Sequence, residues 1–283
     1  MKKENSPLIS ICIATYNRAP FLNELLSSFQ DFNCDLSKFE IVIADGGSND
    51  NTSEIIKNYN NLNIVYLDLK VKGGIDKDFD IAVNNSSGKY VWVFPDDDFI
   101  SSEAINIVSK SIINDNPDLL IVNSSCWDFN FSKNLNKRNL QIENDIIIHS
   151  QNFHNDLFEK TFRYTSYIGC IIIKSELWKK VDSTKYFNSR FIHLGVISEI
   201  PLKSKIKIIS EPLIKLRIGN AEWSEISILV WAEKWKSIIS NFKYLKTSSL
   251  QTITFNTFKT FISLLLFQRA LGNFNFRTIN VIL

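Results

Sequence analysis

Several common sequence markers are absent from this chain of 283 residues, and each absence excludes a class of protein. The cysteines Cys12, Cys34, Cys126 and Cys170 are widely spaced and form no Cys-x-x-Cys pair. This spacing argues against a disulfide or zinc framework and favours small core residues in a reducing cytosol. The formal net charge is only +2, and no run of five basic residues occurs, so we expect no dedicated nucleic-acid binder.

Long apolar runs and a leader pattern are also missing. The longest apolar candidate, Phe261 to Phe267, is much shorter than the ~18–20 residues that cross a bilayer. The polar start, Met1 to Pro7, leads directly into a strand pattern, so no signal peptide is predicted. We therefore expect a cytoplasmic protein, either free or peripheral on the inner face of the cytoplasmic membrane.

Neither of the two common phosphate-binding sequence motifs is found where it would indicate a nucleotide site. No Gly-x-Gly-x-x-Gly follows the first predicted strand, and no Gly-x-x-x-x-Gly-Lys-Ser/Thr is present. The chain is therefore neither an ordinary dinucleotide enzyme nor a P-loop NTPase.

Apolar residues make up 45% of the chain and alternate between strand and helix patterns in the first 120 residues or so. Strands are predicted at 8–14, 39–44, 63–67, 90–94 and 118–122, with amphipathic helices between them. This alternation predicts an α/β fold with a mostly parallel central sheet covered by helices on both faces.

The stretch 90–99 is the centre of this pattern. A strand that is apolar at every position runs into Asp96, Asp97 and Asp98, which we call the carboxylate cluster. Adjacent like charges repel, and a divalent cation such as Mg²⁺ or Mn²⁺ would remove that penalty. The alternative is an acidic loop that caps the following helix.

Other polar residues also follow predicted strands. Thr15, Tyr16 and Asn17 come after the first strand, and Asp45 comes after the second. Because the carboxyl ends of parallel strands share one edge, these side chains and the carboxylate cluster are expected to line one crevice. An uncharged ring could lie against Tyr16 and be read by Asp45, while a diphosphate could sit on a metal held by the cluster.

Three segments, 9–18, 41–52 and 88–98, together resemble the family 2 glycosyltransferases of the GT-A fold. The second segment, IVIADGGSNDNT, is similar to the family's Asp-Gly-Ser-x-Asp-x-Thr pattern, and the third carries its Asp-x-Asp region. The resemblance covers roughly residues 8–125. It implies a GT-A domain over 1–222, with a nucleotide half at about 8–125, an acceptor half at about 126–222 and a C-terminal helical extension over 223–283.

The same resemblance implies roles for individual residues. Thr15, Tyr16 and Asp45 would contact the base. Asp96 would contact the ribose or the diphosphate, and Asp96 and Asp98 would hold Mn²⁺ or Mg²⁺. The further residues assigned to donor binding are Asn17, Arg18, Gly74, Asp76, Asp78, Asp97 and Arg217.

One departure from the family pattern concerns the phosphates. Many members carry Ala-Arg-Asn where this chain has the run 78–80, Asp-Phe-Asp. The run 73–78 resembles the branch of abequosyltransferase-type O-antigen enzymes, which implies a CDP-dideoxyhexose donor and lipopolysaccharide synthesis. The diphosphate would then depend on the metal and on another cation, Lys77 or Arg217. The alternatives are a solvated helix start for Asp76 and Asp78, and a surface ion pair for Arg217.

The family's acidic pair, whose second member is the general base, is absent from the second half. In its place stands the run 191–199, where His193 could serve as the base, with Glu199 as the second candidate. The alternative is that His193 is a packing residue and the base lies elsewhere. His149 and His154 are five residues apart, a spacing that does not suit a metal pair on one helix, so both are interpreted as surface or packing residues.

Two long helices are predicted at the C-terminus, over 223–244 and 249–270. The second has a broad apolar face that could pack on the domain, on a twin subunit or in a membrane interface.

Taken together, the sequence predicts a metal-dependent, hexosyltransferase-type glycosyltransferase. It would move a sugar from a nucleotide-diphosphate donor to a saccharide acceptor, for which a polyprenyl-linked saccharide is the candidate. A sugar-1-phosphate nucleotidyltransferase and a non-catalytic nucleotide-sugar binding module are the alternatives.

Overall fold

The computed structural model describes residues 6–220 apart from Asp31 and Asn33, residues 230–246, and Ile262. Ten strands in this part of the chain form one sheet. They are β1 (Ile9–Thr15), β2 (Phe39–Asp45), β3 (Ile64–Asp68), β4 (Tyr90–Pro95), β5 (Phe99–Ile100), β6 (Leu119–Trp127), β7 (Asn134–Asn136), β8 (Ile146–His149), β9 (Ile171–Lys174) and β10 (Lys205–Arg217).

The first half of the sheet is parallel, as the sequence predicts. Its order is β3-β2-β1-β4, and each neighbouring pair is parallel. Every residue of β1 and β2 is buried, and so is β4 through Phe94, because helices cover both faces. Asp45 pairs with Thr15, and Pro95 pairs with Ala14, so the polar loops that follow these strands meet at one edge.

The second half of the sheet is mixed, which the alternating pattern does not reveal. β9 lies between β4 and β6 and is antiparallel to both. β10 is parallel to β6 but antiparallel to β5 and β8. β10 is one long strand, and its register against β6 shifts at Pro212. The irregular register accommodates a residue without an N–H donor.

Helices bury their apolar faces in two layers of core, one on each side of the sheet. Their bounds are α1 (Ala19–Gln30), α2 (Thr52–Lys57), α3 (Ile75–Asn84), α4 (Ala104–Asp115), α5 (Phe153–Thr161), α6 (Ser175–Lys179), α7 (Ile192–Ser198) and α8 (Trp235–Ile239). Side chains of α1, α2 and α4 belong to one layer. Those of α3, α5, α6, α7 and α8 belong to the other.

The described C-terminal residues pack on the second of these layers. A π-helical turn, Val230–Lys234, leads into α8. The ring centroid of Trp235 lies 5.4 Å from that of Phe191, and Phe242 lies 4.9 Å from Phe158. Residues 230–246 therefore pack on the domain.

The predicted helix over 249–270 falls almost wholly outside the described residues, as does the predicted helix start at Trp223. Among the helices that are described, none has the length and apolar character needed to cross a bilayer.

Candidate active site

Thr15 and Asp96 meet where β1 and β4 end side by side. The hydroxyl Oγ1 of Thr15 donates a 2.8 Å hydrogen bond to Oδ2 of Asp96. Asp96 is only 5% exposed. The strand-end argument therefore places these two side chains correctly at one edge of the sheet.

Arg18 connects the first loop to the carboxylate cluster. Its Nε donates a 2.9 Å hydrogen bond to Oδ1 of Asp96, and its Nη2 forms a second ion pair with Asp97. Asn220 adds a 2.5 Å hydrogen bond from Nδ2 to Oδ2 of Asp97. Arg18 thus neutralises part of the charge that three adjacent carboxylates bring together.

Asp98 is held from the second half of the chain. Oδ1 accepts a 2.7 Å hydrogen bond from the backbone N–H of Arg217, and Oδ2 accepts a 2.6 Å hydrogen bond from the hydroxyl of Tyr167. Sequence reasoning missed Tyr167, because no local pattern marks it. The residue reaches the cluster only because β9, which follows it, is inserted beside β4.

Arg217 is buried beside the cluster, and its guanidinium is directed at protein acceptors. Nε donates to the backbone oxygen of Asp97 at 2.9 Å, Nη1 donates to that of Phe129 at 2.7 Å, and Nη2 pairs with Glu24. This ion pair is not the predicted surface pair, because the Arg217 side chain is only 3% exposed. Arg217 therefore connects the carboxylate cluster to Phe129 and Glu24 and places a positive charge beside it.

Burial raises the pKa of all three clustered carboxyl groups. The pKa of Asp96 rises to about 7, and the neighbouring charge of Asp97 adds to the effect of burial. The pKa of Asp98 is also raised well above its usual range by burial and by Asp97, while burial raises that of Asp97. A bound cation would favour the ionised forms and lower these pKa values.

The carboxylates fit a hard divalent ion in chemical type, since Mg²⁺ and Mn²⁺ prefer oxygen ligands. Each oxygen of Asp96 and Asp98 that accepts one hydrogen bond keeps a second lone pair. Within the described residues, no group of three or more His, Cys, Asp or Glu side chains is arranged to hold a metal ion. The protein would therefore supply few ligands, and the remainder would come from phosphate and water.

Asp45 is fixed at the neighbouring strand end. Oδ1 accepts from the backbone N–H of Ser48, and Oδ2 accepts from the hydroxyl of Tyr66, both at 2.8 Å. Its loop is tied to the first loop because the backbone N–H of Asn17 donates to Oγ of Ser48 at 2.8 Å. The ring of Tyr16 lies under the ammonium group of Lys72, 3.9 Å from the ring centroid.

Asp78 lies between two glycine loops beside Asp45. A Cβ added to Gly46 would lie 3.2 Å from its Oδ2, and one added to Gly73 would lie 2.9 Å from its Oδ1. Within the described residues, Oδ1 of Asp78 is buried without a hydrogen-bond partner. Burial raises its pKa to about 6. A buried acceptor without such a partner is unusual in a folded protein.

Asp76 forms hydrogen bonds with the second half of the chain. Its carboxylate accepts from the backbone N–H groups of Arg190 at 2.8 Å and Ile192 at 3.2 Å, at the start of α7. Asp76 and Asp78 are each 3% exposed, so the alternative of a solvated helix start is wrong for both. Gly74 adopts a φ of 94° at the N-cap of α3, a conformation that favours glycine.

The described contacts of His193 and Glu199, the two predicted base candidates, are with residues outside the carboxylate cluster. His193 is fully buried in α7, with Nε2 2.9 Å from the backbone oxygen of Thr165, and burial lowers its pKa to about 4. These contacts match the packing alternative, and they correct the expectation that His193 faces an acceptor hydroxyl. Glu199 accepts from the hydroxyl of Tyr186 at 2.7 Å and pairs with Lys185, and these partners lower its pKa.

His154 is also a packing residue, as expected. Its ring centroid lies 4.5 Å from that of Phe153 and 5.0 Å from that of Phe242. Burial lowers its pKa to about 4.

Comparison with known proteins places this arrangement in a family. The sequence profile described as "Glycosyl transferase family 2" matches residues 10–172. The chain is 28% identical over 229 residues to abequosyltransferase RfbV of Salmonella typhimurium, covering 75% of this chain and 67% of that protein. It is 30% identical over 115 residues to the poly(ribitol-phosphate) beta-N-acetylglucosaminyltransferase TarS of Staphylococcus aureus, covering 40% of this chain and 20% of TarS.

Solved structures share the fold at low sequence identity. TarS 1–349 in complex with UDP superposes with a TM-score of 0.62 at 19% identity, covering 83% of this chain and 70% of that chain. The mannosyltransferase PcManGT from Pyrobaculum calidifontis, in complex with GDP-Man and Mn²⁺, gives a TM-score of 0.55 at 13% identity. It covers 99% of this chain and 79% of that chain.

The matched profile spans more than half of the chain and includes β1, β2, β4 and the carboxylate cluster. This match favours a glycosyltransferase over the two alternatives, a sugar-1-phosphate nucleotidyltransferase and a non-catalytic binding module. The chain belongs to glycosyl transferase family 2, and it is a glycosyltransferase with the GT-A fold.

Proposed function

We propose that this enzyme transfers a sugar from a nucleotide-diphosphate donor to a hydroxyl group of a saccharide in surface-polysaccharide or O-antigen synthesis, with metal assistance. The observation that carries the proposal is the pair of buried carboxylates Asp96 and Asp98 beside Thr15 and Asp45, at the carboxyl ends of β1, β2 and β4. The names of the Salmonella and Staphylococcus relatives support sugar transfer, and the name of the Staphylococcus relative includes a polymer, poly(ribitol-phosphate).

The nucleoside would pack against Tyr16, and its base would form hydrogen bonds with Asp45 and Asp78. Asp45 is already oriented by Ser48 and Tyr66, and Asp78 offers an acceptor without a partner among the described residues. The exocyclic amine of cytosine can donate to such an oxygen, and so can the ring N–H of uracil. The resemblance to the abequosyltransferase branch then favours a CDP-linked sugar as the donor.

The diphosphate would lie at the carboxylate cluster. Asp96 and Asp98 would hold Mn²⁺ or Mg²⁺, which when bound supplies positive charge to the departing diphosphate. Thr15 and Tyr167 orient these two carboxylates, and Arg18 offsets the charge of Asp97. These fixed donors would limit reorganisation of the site during transfer.

Lys77 is the further cation that we assign to the phosphates. It lines a cavity of about 270 Å³ together with Arg190, Lys234 and the acidic residue Asp76. The guanidinium of Arg217 has each of its nitrogens directed at Asp97, Phe129 or Glu24, so Lys77 is the better candidate to replace the family arginine.

The experiment incubates the enzyme with CDP-, UDP-, GDP- and dTDP-sugars, with Mn²⁺ and with EDTA, and measures release of the nucleotide diphosphate. We expect one donor class to be turned over with Mn²⁺. Asp98→Asn should lower kcat/KM by about 100-fold or more, since it removes a charge that acts on the leaving group.

Glu54→Gln, an exposed substitution in the first turn of α2, is the control and should retain wild-type turnover. If no donor is bound, hydrolysed or transferred under any of these conditions, the proposed function is wrong.

A further inference from the structure

The phenyl ring of Phe21, in the first turn of α1, lies beside two arginines that contact the carboxylate cluster. The guanidinium carbon of Arg18 is 4.6 Å from the centroid of this ring, and that of Arg217 is 5.1 Å from the same centroid. Arg18 precedes α1, whereas Arg217 is the last residue of β10. The two halves of the chain therefore meet at Phe21.

The two arginines bind different parts of the carboxylate cluster. The guanidinium group of Arg18 pairs with the side chains of Asp96 and Asp97. Arg217 donates from Nε to the backbone oxygen of Asp97 at 2.9 Å, and its own backbone N–H donates to Oδ1 of Asp98 at 2.7 Å. The directions of all three carboxylates therefore depend on where these two arginines lie.

The ring of Phe21 offsets the repulsion between two cations that are drawn to one group of acids. The face of a phenyl ring carries partial negative charge and attracts a cation placed over it, more strongly where water is excluded. The Arg217 side chain is 3% exposed, and that of Arg18 is 13% exposed. The attraction therefore acts with little competition from water, and it favours the side-chain conformations that place both guanidinium groups over Phe21.

Three further phenylalanines enclose the guanidinium group of Arg217. The distances from its central carbon to the ring centroids are 4.4 Å for Phe131, 5.5 Å for Phe129 and 5.9 Å for Phe99. Phe21 packs edge-on against Phe129, with ring centroids 6.1 Å apart and ring planes at 83°. Phe21 therefore connects this enclosure of rings to Arg18.

We propose that Phe21 is a positioning residue of the active site, which acts on the carboxylate cluster through Arg18 and Arg217. It orients the two guanidinium groups, and these orient Asp96 and the turn that carries Asp98. The consequence for metal and diphosphate binding rests on the proposed function. A ring that only filled space would be coupled to neither arginine, and its loss would affect stability alone.

The first measurement is thermal unfolding of the metal-free chain in EDTA, for the wild type, Phe21→Leu, Arg18→Gln and the double variant. Leucine keeps an apolar side chain but removes the ring. We expect the double variant to lose less in unfolding midpoint than the sum of the two single losses, because residues in contact are energetically coupled. A second cycle with Arg217→Met in place of Arg18→Gln should show the same non-additivity. Additive losses in either cycle would overturn the proposal.

The second measurement is the affinity for Mn²⁺ in the presence of CDP, or of UDP, GDP or dTDP if the wild type prefers one of these. Phe21→Leu should weaken Mn²⁺ binding by about fivefold or more, because the groups that orient the metal ligands lose their support. Phe21→Tyr keeps the ring and should stay within about twofold of the wild type.

Phe32→Leu is the matched control, because Phe32 follows the end of α1 and packs with Phe29 and Phe39. It should lower the unfolding midpoint and leave Mn²⁺ affinity unchanged. Unchanged Mn²⁺ affinity in Phe21→Leu would contradict the proposal, and so would an equal loss in Phe32→Leu or in Phe21→Tyr.

The two measurements separate the positioning role from the proposed function. If the wild type binds no Mn²⁺ with any of the four nucleotides, the proposed function is wrong, and the metal-free cycles still decide whether Phe21 is coupled to the arginines. If Arg217→Met does not fold, the cycle with Arg18→Gln and the Mn²⁺ titration of Phe21→Leu decide the outcome.

Discussion

The hydroxyl of Tyr167 donates a 2.6 Å hydrogen bond to Oδ2 of Asp98, and this bond joins the two halves of the sheet. Asp98 follows the parallel half, whereas Tyr167 precedes β9, the antiparallel strand inserted between β4 and β6. A Cβ added to Gly169 would lie 2.3 Å from the Tyr167 hydroxyl, so the glycine leaves room for this contact.

Tyr167→Phe tests the importance of that bond. Removing a hydrogen bond to a buried charged group costs about 1.5–3 kcal/mol. We expect the Mn²⁺ concentration for half-maximal turnover to rise by about tenfold or more, because Asp98 loses the group that orients it. Tyr59→Phe is the control, since its hydroxyl donates to Asn23 on α1. Unchanged Mn²⁺ dependence would show that the bond does not position Asp98.

Arg18→Gln should be strongly destabilising. The substitution leaves Asp96 and Asp97 without the guanidinium that pairs with both, and breaking a buried pair costs about 3–5 kcal/mol. We expect thermal unfolding to show a larger loss at pH 8 than at pH 5.5, because protonation relieves the unpaired charge. Lys180→Gln removes an exposed pair with Glu176 and should cost less than about 1 kcal/mol. A similar loss in both variants would contradict the role given to Arg18.

The raised pKa of Asp96 also predicts a pH dependence of stability. Between the ordinary pKa of an aspartate and about 7, the folded state holds a proton that the unfolded state has released. This contribution to stability is therefore present at low pH and is lost as the pH rises through about 7.

Comparing Asp96→Asn with the wild type isolates this effect, since the buried His154 and His193 titrate in both proteins. The midpoint of thermal unfolding of the variant should rise relative to the wild type between pH 5 and pH 8. For a chain of this size, each 1 kcal/mol corresponds to about 2–4 °C. A difference that is constant with pH, or that has the opposite sign, would show that Asp96 is already ionised at pH 5.

Asp78→Ala should separate stability from affinity. The substitution removes a buried carboxylate with an oxygen that lacks a partner among the described residues. The midpoint of thermal unfolding without nucleotide should therefore be equal to that of the wild type or higher. Nucleotide diphosphates should bind about tenfold more weakly, because an acceptor for the base is lost. Asp80→Asn, which alters the acceptor of Trp178 Nε1, should leave nucleotide affinity unchanged. An unchanged affinity in Asp78→Ala would remove Asp78 from the site.

The parallel half of the sheet and its polar loops were predictable because their signals are local. A strand that is apolar at every position, as in β4, identifies a central buried strand, and the residue types that follow it identify the edge. Thr15 and Asp96 are 81 residues apart, yet the parallel register alone brings them together.

The remaining features depend on long-range packing that no local pattern encodes. Asp76 accepts hydrogen bonds from a turn 114 residues away, and Tyr167 reaches Asp98 through an inserted antiparallel strand. His193 has the residue type of a base, but its burial in α7 decides its contacts. A side chain's chemistry can be read from sequence, whereas the direction in which it faces requires the fold.

The most direct test of the donor site is a calorimetric titration of CDP, UDP, GDP and dTDP into the wild type and Asp98→Asn, each with Mn²⁺ and with EDTA. We expect at least one nucleotide to bind the wild type with Mn²⁺ and to bind about tenfold or more weakly with EDTA or in Asp98→Asn. Equal affinity in all of these conditions would contradict the assignment of the carboxylate cluster to metal and diphosphate binding.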